Sequence, residues 1–364
     1  MKLHEIISAI ETFAPPAYQE SYDNSGLLIG NKNNKVTGAL LTLDVTEEII
    51  DEAISKKCDL IIAHHPIIFS GIKRLNGNNY VERVIIKAIQ NNIAIYACHT
   101  NIDNVTNGVN KKIADKLGLI NTKILQPKSQ LLKKLVTFVP TENAETVRQA
   151  LFNSGAGNIG NYSECSFNVS GTGTFKGNDN SNPVIGTKNQ VEKVNEQRIE
   201  VIFEAYQQNP ITDALKTAHP YEEVAYYISS LDNTYQEVGS GLIGELKEPM
   251  EIDSFFSLIK FNFKVPTIKH TAKVKKQIKT VALCGGAGNF LLKDAIRQNA
   301  DLFLSADFTY HKFFDAENKI VICDIGHYET EQFTPEIFYE VISKKFPTFA
   351  LHLSNVNTNP INYF

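Results

Sequence analysis

Two histidines stand side by side at the end of an apolar run, DLIIAHHPIIFS (59–70), and a proline follows them. In an extended segment neighbouring side chains point to opposite faces, so His64 and His65 should not reach one point. Pro66 holds His65 in extended or polyproline-like backbone while ending the strand, which leaves two divergent imidazoles at one edge. Two distant segments offer matching groups. HTNID (99–103) and HYETE (327–331) each carry a histidine with a carboxylate four residues later, the spacing of neighbours on one helix face. Imidazoles and carboxylates are the donors of divalent-metal sites, and divergent imidazoles suit two ions better than one, with a carboxylate bridging them. Ions held in this way activate water and steady developing negative charge, which is the chemistry of hydrolysis.

The elements that must bring these groups together are legible as alternating strands and helices. In the first third, GALLTLD (38–44), DLIIA (59–63) and IAIYACH (93–99) read as strands, separated by the helical patterns TEEIIDEAISKKC and YVERVIIKAIQNN. The last third repeats the scheme with TVALCGG, NFLLKDAIRQN, DLFLSA, KIVICDI and PEIFYEVISKKF. Near-continuous apolar strands between amphipathic helices imply a parallel or mixed sheet covered on both faces. AISKKCDLIIA (53–63) aligns with AIRQNADLFLS (295–305), and HTNID with HYETE, a weak internal repeat that points to two related α/β halves. Ligands of open α/β sheets bind outside the carboxyl ends of the strands, where all these histidines fall.

The middle of the chain has a different order: strand, helix, strand, strand, helix, strand, with a polar glycine-containing loop at 176–192. That is the ferredoxin-like pattern, read here as an α+β domain inserted into the core. The expected division is 1–127 for the first half of a metal-binding α/β core, 128–242 for the insert and 243–364 for the second half. Several neighbouring groups take quieter readings. Asp44, three residues before Glu47, reads as a helix cap, and His99 as a residue that orients a ligand. CGGAGNF (284–290) reads as a tight turn, since neither a Walker A lysine nor G-x-G-x-x-G is present. Tyr310 and His311 are catalytic candidates as proton donors or substrate contacts, and His219 reads as structural.

Composition narrows the partners. With 36 Lys and Arg against 40 Asp and Glu the formal net charge is −4, which ranks nucleic acid last and favours small molecules or other protein chains. Five dispersed cysteines without a C-x-x-C pair imply neither a disulfide framework nor a cysteine-rich zinc site, and fit a reducing, cytoplasmic compartment. No run of about 18 apolar residues suggests a membrane span.

Taken together, DNSGLLIG (23–30), LDVT (43–46), IIAHHPIIF (61–69), HTNID, CGGAGN (284–289), DFTYH (307–311) and GHYETE (326–331) resemble the Nif-three-like family, known as GTP cyclohydrolase 1 type 2 homologs. GTGTF (171–175) and HPYEE (219–223) resemble the inserted PII/CutA-like domain of its longer bacterial members. The resemblance implies a dinuclear centre in which His64 and Asp103 hold one ion, His65 and His327 the other, and Glu331 touches both. It also implies ring-shaped homohexamers whose metal sites face an internal cavity. Mixed donors suit two divalent ions, zinc first, with iron or manganese compatible. The function read from all this is a metal-dependent hydrolase acting on a nucleotide or phosphorylated small molecule. The rival is a non-catalytic metal-binding or regulatory assembly whose inserted domain senses a ligand.

Overall fold

The apolar runs of the first third lie at the centre of a five-stranded sheet in a computed structural model that describes residues 1–364. Strands Gly38–Thr42, Leu60–Ala63 and Ala94–Ala97 run parallel, and every residue in them is buried. Helices Glu47–Ser55 and Tyr80–Gln90 connect them and pack Ile49, Ile50, Ala53, Val84 and Ala88 against Leu40, Ile61 and Ile95. Burying each large aliphatic side chain contributes about 1.5–3 kcal/mol. That gain is available on both sheet faces, so these strands carry no alternating polar positions.

The second sheet repeats the arrangement with Gln277–Ala287, Leu302–Ala306 and Val321–Asp324 in parallel. The repeat seen in the sequence has a shared physical task. Asp59, just before its strand, accepts the backbone N–H of Thr37 at 2.9 Å, while Asp301 accepts those of Lys279 and Thr280 at 2.9 and 3.0 Å. Each aspartate fastens the start of the neighbouring parallel strand. Each sheet also sets an antiparallel strand beside the third of its parallel strands: Gly26–Ile29 beside Ala94–Ala97, and Lys269–His270 beside Val321–Asp324.

The sequence halves exchange edges. Strand Ala350–Leu353 pairs with Gly38–Thr42 in the first sheet, and Leu119–Ser129 lies beside Thr234–Glu251 in the second. Met1–Pro127 and Val238–Phe364 accordingly form one compact unit.

Lys128–Glu237 forms the other unit. Its four-stranded antiparallel sheet has the order Phe167–Lys176, Val191–Glu204, Leu132–Pro140, Tyr226–Ser230. Helices Ala144–Asn153 and Gln208–Ala218 cover one face through Val147, Leu151, Ile211 and Leu215, packed on Leu135, Ile199 and Val201. The expected boundary at 242 falls inside the continuous strand Thr234–Glu251, where the contacts divide after Glu237. No helix in the chain is long and apolar enough to cross a membrane.

Candidate metal centre

His64 and His65 follow the last residue of strand Leu60–Ala63, so the alternation of a regular strand no longer governs them. The backbone N–H of each bonds to Leu43 O, and the two rings lie 4.8 Å apart at 46°. Asp103 closes the short helix Thr100–Asp103 that follows strand Ala94–Ala97. His327 and Glu331 begin and end helix His327–Glu331 after strand Val321–Asp324, one turn apart on one face. All five residues therefore sit beyond the carboxyl ends of parallel strands. Their donor atoms form two overlapping groups, His64–Asp103–Glu331 and His65–His327–Glu331, each within 4.8 Å.

Glu331 is the common member. Its Oε2 lies 3.0 Å from His65 Nε2, 3.1 Å from His327 Nε2 and 3.7 Å from His64 Nε2. The opposite nitrogen of each ring is tied down: His65 Nδ1–H donates to Asp44 at 2.7 Å, His327 Nδ1–H to Asp307 at 2.7 Å, and His64 Nδ1–H to Cys98 O at 3.0 Å. These bonds aim all three Nε2 atoms at Glu331, as outer partners do for metal-ligating histidines.

Of the four buried side-chain atoms without a hydrogen-bond partner, two belong to the cluster, His64 Nε2 and Asp103 Oδ1, which face each other at 3.7 Å. Burial pushes the His64 imidazole down to about 4, so the ring is neutral, and its Nδ1–H is already spent on Cys98 O. What faces Asp103 is therefore a lone pair. Two unsatisfied buried acceptors cost about 1–3 kcal/mol each. A cation between them satisfies both, and two metal–ligand bonds of about 2.0–2.2 Å can span the gap.

The charges agree with that fit. Burial, then the neighbouring charge of Glu331, pushes the Asp103 carboxyl well above the usual carboxylate range. Burial also opposes ionisation of Glu331, but the charged imidazole of His327 outweighs it and holds that carboxyl well below its usual range. Burial works against charge on His65 and His327 as well; the carboxylates bracketing each ring win and raise them to about 10 and about 9. The residues suit a divalent metal ion, which these clustered donors could hold.

Two sequence expectations are revised here. Asp44 does not cap the helix: Thr46 does, accepting from Ile49 N–H, while Asp44 holds His65 and receives the Thr358 hydroxyl at 2.6 Å. An Asp44→Asn variant is expected to weaken metal binding by roughly 10–100-fold, read by chelator competition. Unchanged affinity would remove Asp44 from this role. The glycine segment is less a turn than the end of strand Gln277–Ala287 leading into a 3-10 turn. Its amides are occupied by Asn110, Thr330 and Ser305, so they are not free for a phosphate.

His99 donates Nδ1–H to Asp23 at 2.8 Å, and its ring lies 5.2 and 5.4 Å from those of His64 and His65. Tyr310 and His311 lie on the 3-10 turn Tyr310–Ala316, packed on each other and on Phe314, and add no group to the cluster. His219 donates Nε2–H to Phe138 O and accepts Tyr221 N–H, bonds that pin a loop. Asp23 and Asp307 had no assigned task in the sequence. Their signal was positional for Asp307, a carboxylate directly beyond strand Leu302–Ala306.

A profile of the Duf34/NIF3 family (NGG1p interacting factor 3) matches residues 1–360. A Halalkalibacterium halodurans protein named GTP cyclohydrolase 1 type 2 homolog is 40% identical over 365 residues, spanning 98% of each chain. A Bacillus subtilis protein of the same name is 38% identical over 369 residues, spanning 99% of this chain and 98% of its own. Among solved structures, a Bacillus cereus protein related to NIF3 is similar at a TM-score of 0.87 and 39% identity, covering 100% of this chain and 99% of that one.

Proposed function

The chain belongs to the Duf34/NIF3 family, and on that premise we propose that it holds two divalent metal ions and acts as a metal-dependent hydrolase on a nucleotide or other phosphorylated small molecule. The observation that supports this most directly is the pair of partnerless buried acceptors, His64 Nε2 and Asp103 Oδ1, beside a carboxylate within reach of three imidazoles. In this reading His64 and Asp103 hold one ion, His65 and His327 the other, and Glu331 contributes to both. Such ions supply Lewis acidity, making water a better nucleophile and neutralising charge that builds on a phosphoryl or carbonyl oxygen.

The chain's own side chains do the rest. Asp44, Asp307 and the Cys98 carbonyl keep the three rings in one tautomer and one orientation. His99, backed by Asp23, sits at the rim of the cluster. Tyr310 and His311, on the turn after Asp307, are assigned to substrate contact and protonation of the leaving group. Zinc is the metal of first choice for this donor set, and the relatives' name directs the substrate search to guanine nucleotides.

Lys128–Glu237 is, in the same reading, an inserted ferredoxin-like domain of the PII/CutA kind; its strand–helix–strand–strand–helix–strand order supports this. A cytoplasmic homohexamer completes the proposal, and light scattering of the purified protein checks the assembly. The function itself is tested by loading the protein with zinc, manganese or iron(II) and assaying nucleotides and phosphoesters beside a His65→Ala, Glu331→Ala double variant. Turnover is expected only with both ligands intact. Activity that persists in the double variant rejects the catalytic reading, and no turnover on any substrate favours a metal-dependent regulatory assembly.

A further inference from the structure

We propose that a cavity on the helix-free face of the Lys128–Glu237 sheet binds a planar aromatic molecule whose edge carries amino or amidine-type N–H groups. The cavity measures ≈ 570 Å³, inside the roughly 300–1,000 Å³ range of small-ligand sites. Strand register puts it there. Gly171 pairs with Glu196, while Val169 and Phe138 both pair with Arg198, so these residues share the face opposite Ile199 and Val201, which pack on the helices.

Glu196 gives the cavity its chemistry. Its side chain is 7% exposed, Tyr221 OH donates to Oε1 at 3.0 Å, and no donor bonds Oε2. Burial, then Glu196 itself, pushes the Tyr221 hydroxyl up, so it stays a donor. A buried carboxylate with one bond has acceptor capacity to spare, which N–H groups of a ligand would use. Arg198 is committed to Glu200 at 2.7 Å, and Glu222 and Glu223 line the space beside one further cation, Lys176, so the balance of charge with Glu196 favours a cationic or N–H-rich ligand over an anion.

The shape selects a flat molecule. Two glycines of GTGTF form a bare floor: a Cβ at Gly171 would meet nothing within 4 Å, and one at Gly173 would fall 2.0 Å from Glu196 Oε2. Gly173 thus lets the carboxylate lean across the strand, and Gly171 leaves exposed peptide for a ring to lie on. Phe138, Val169, Phe175, Ile185 and Tyr221 supply the walls, with the Phe175 and Tyr221 rings 5.7 Å apart and edge-on.

The test uses the full chain, calorimetric titration and three probes: benzamidine, guanosine and, as an anionic control, benzoate. Benzamidine offers a charged pair of N–H donors and guanosine a neutral one, so the two separate charge from hydrogen bonding. At least one is expected to bind saturably and more tightly than benzoate. Glu196→Gln should weaken it by about 10-fold or more, the worth of a hydrogen bond to a charged group. Gly171→Leu, at a position with ordinary backbone and open space, should fill the cavity and abolish binding while leaving the thermal transition in place. The proposal is overturned if neither N–H probe saturates, if benzoate binds as well, or if Gly171→Leu binds like the parent protein.

Discussion

Glu331→Gln is expected to empty the proposed two-ion centre, whereas His327→Ala should retain about half of the parent metal content. The difference follows from reach. A single oxygen of Glu331 lies within 3.7 Å of all three Nε2 atoms, while His327 belongs only to the group that contains His65. Replacing the carboxylate with an amide removes the negative charge that both groups share, in a buried setting where ion binding depends on charge compensation. The loss in affinity should exceed the roughly 10–100-fold typical of a supporting residue. Elemental analysis after gel filtration in metal-free buffer reads the outcome, with circular dichroism as a check on folding. Equal retention by the two variants would show that Glu331 is not shared, and full retention by Glu331→Gln would sink the centre as drawn.

The second large effect comes from a residue with no side chain. Gly286 has φ of +57°, and a Cβ there would lie 2.4 Å from Glu331 Oε1 and 3.1 Å from two atoms of the His327 ring. Gly286→Ala therefore carries two costs. Left-handed backbone on alanine costs about 1–2 kcal/mol, which lowers the melting temperature with or without metal. The displaced carboxylate then reduces metal affinity. In the parent protein, metal at about 100 times its Kd should stabilise the fold by about 2.7 kcal/mol. In Gly286→Ala most of that increment should vanish. A melting temperature that falls while the metal-dependent increment stays intact would confine Gly286 to a backbone role.

The candidate ligands and the residues that hold them were not equally visible in the sequence. His327 and Glu331 could be paired from their spacing, because a four-residue separation on any helix puts both groups on one face. The strands were readable for a similar local reason: Leu60–Ala63 is apolar throughout and Leu302–Ala306 is apolar but for Ser305, and the aspartate preceding each recurs because it ties down the start of the neighbouring strand. Asp44 was misread because its local context, a threonine and glutamates opening a helix, matches a cap. Its actual partners, His65 and Thr358, lie far along the chain. Asp23 escaped for the same reason, since it reaches His99 across 76 residues.

The amino-acid order alone settled which groups are present, which elements carry them and that those elements end where a site forms, because periodicity and helical spacing are short-range properties. Folding decided the rest: which nitrogen of each ring is held, which oxygen meets three imidazoles at once, and which glycine must stay bare beside them. Those outcomes depend on distances between residues that chain connectivity leaves free, and only the tertiary placement of the strand ends of both sheets within one compact unit sets them.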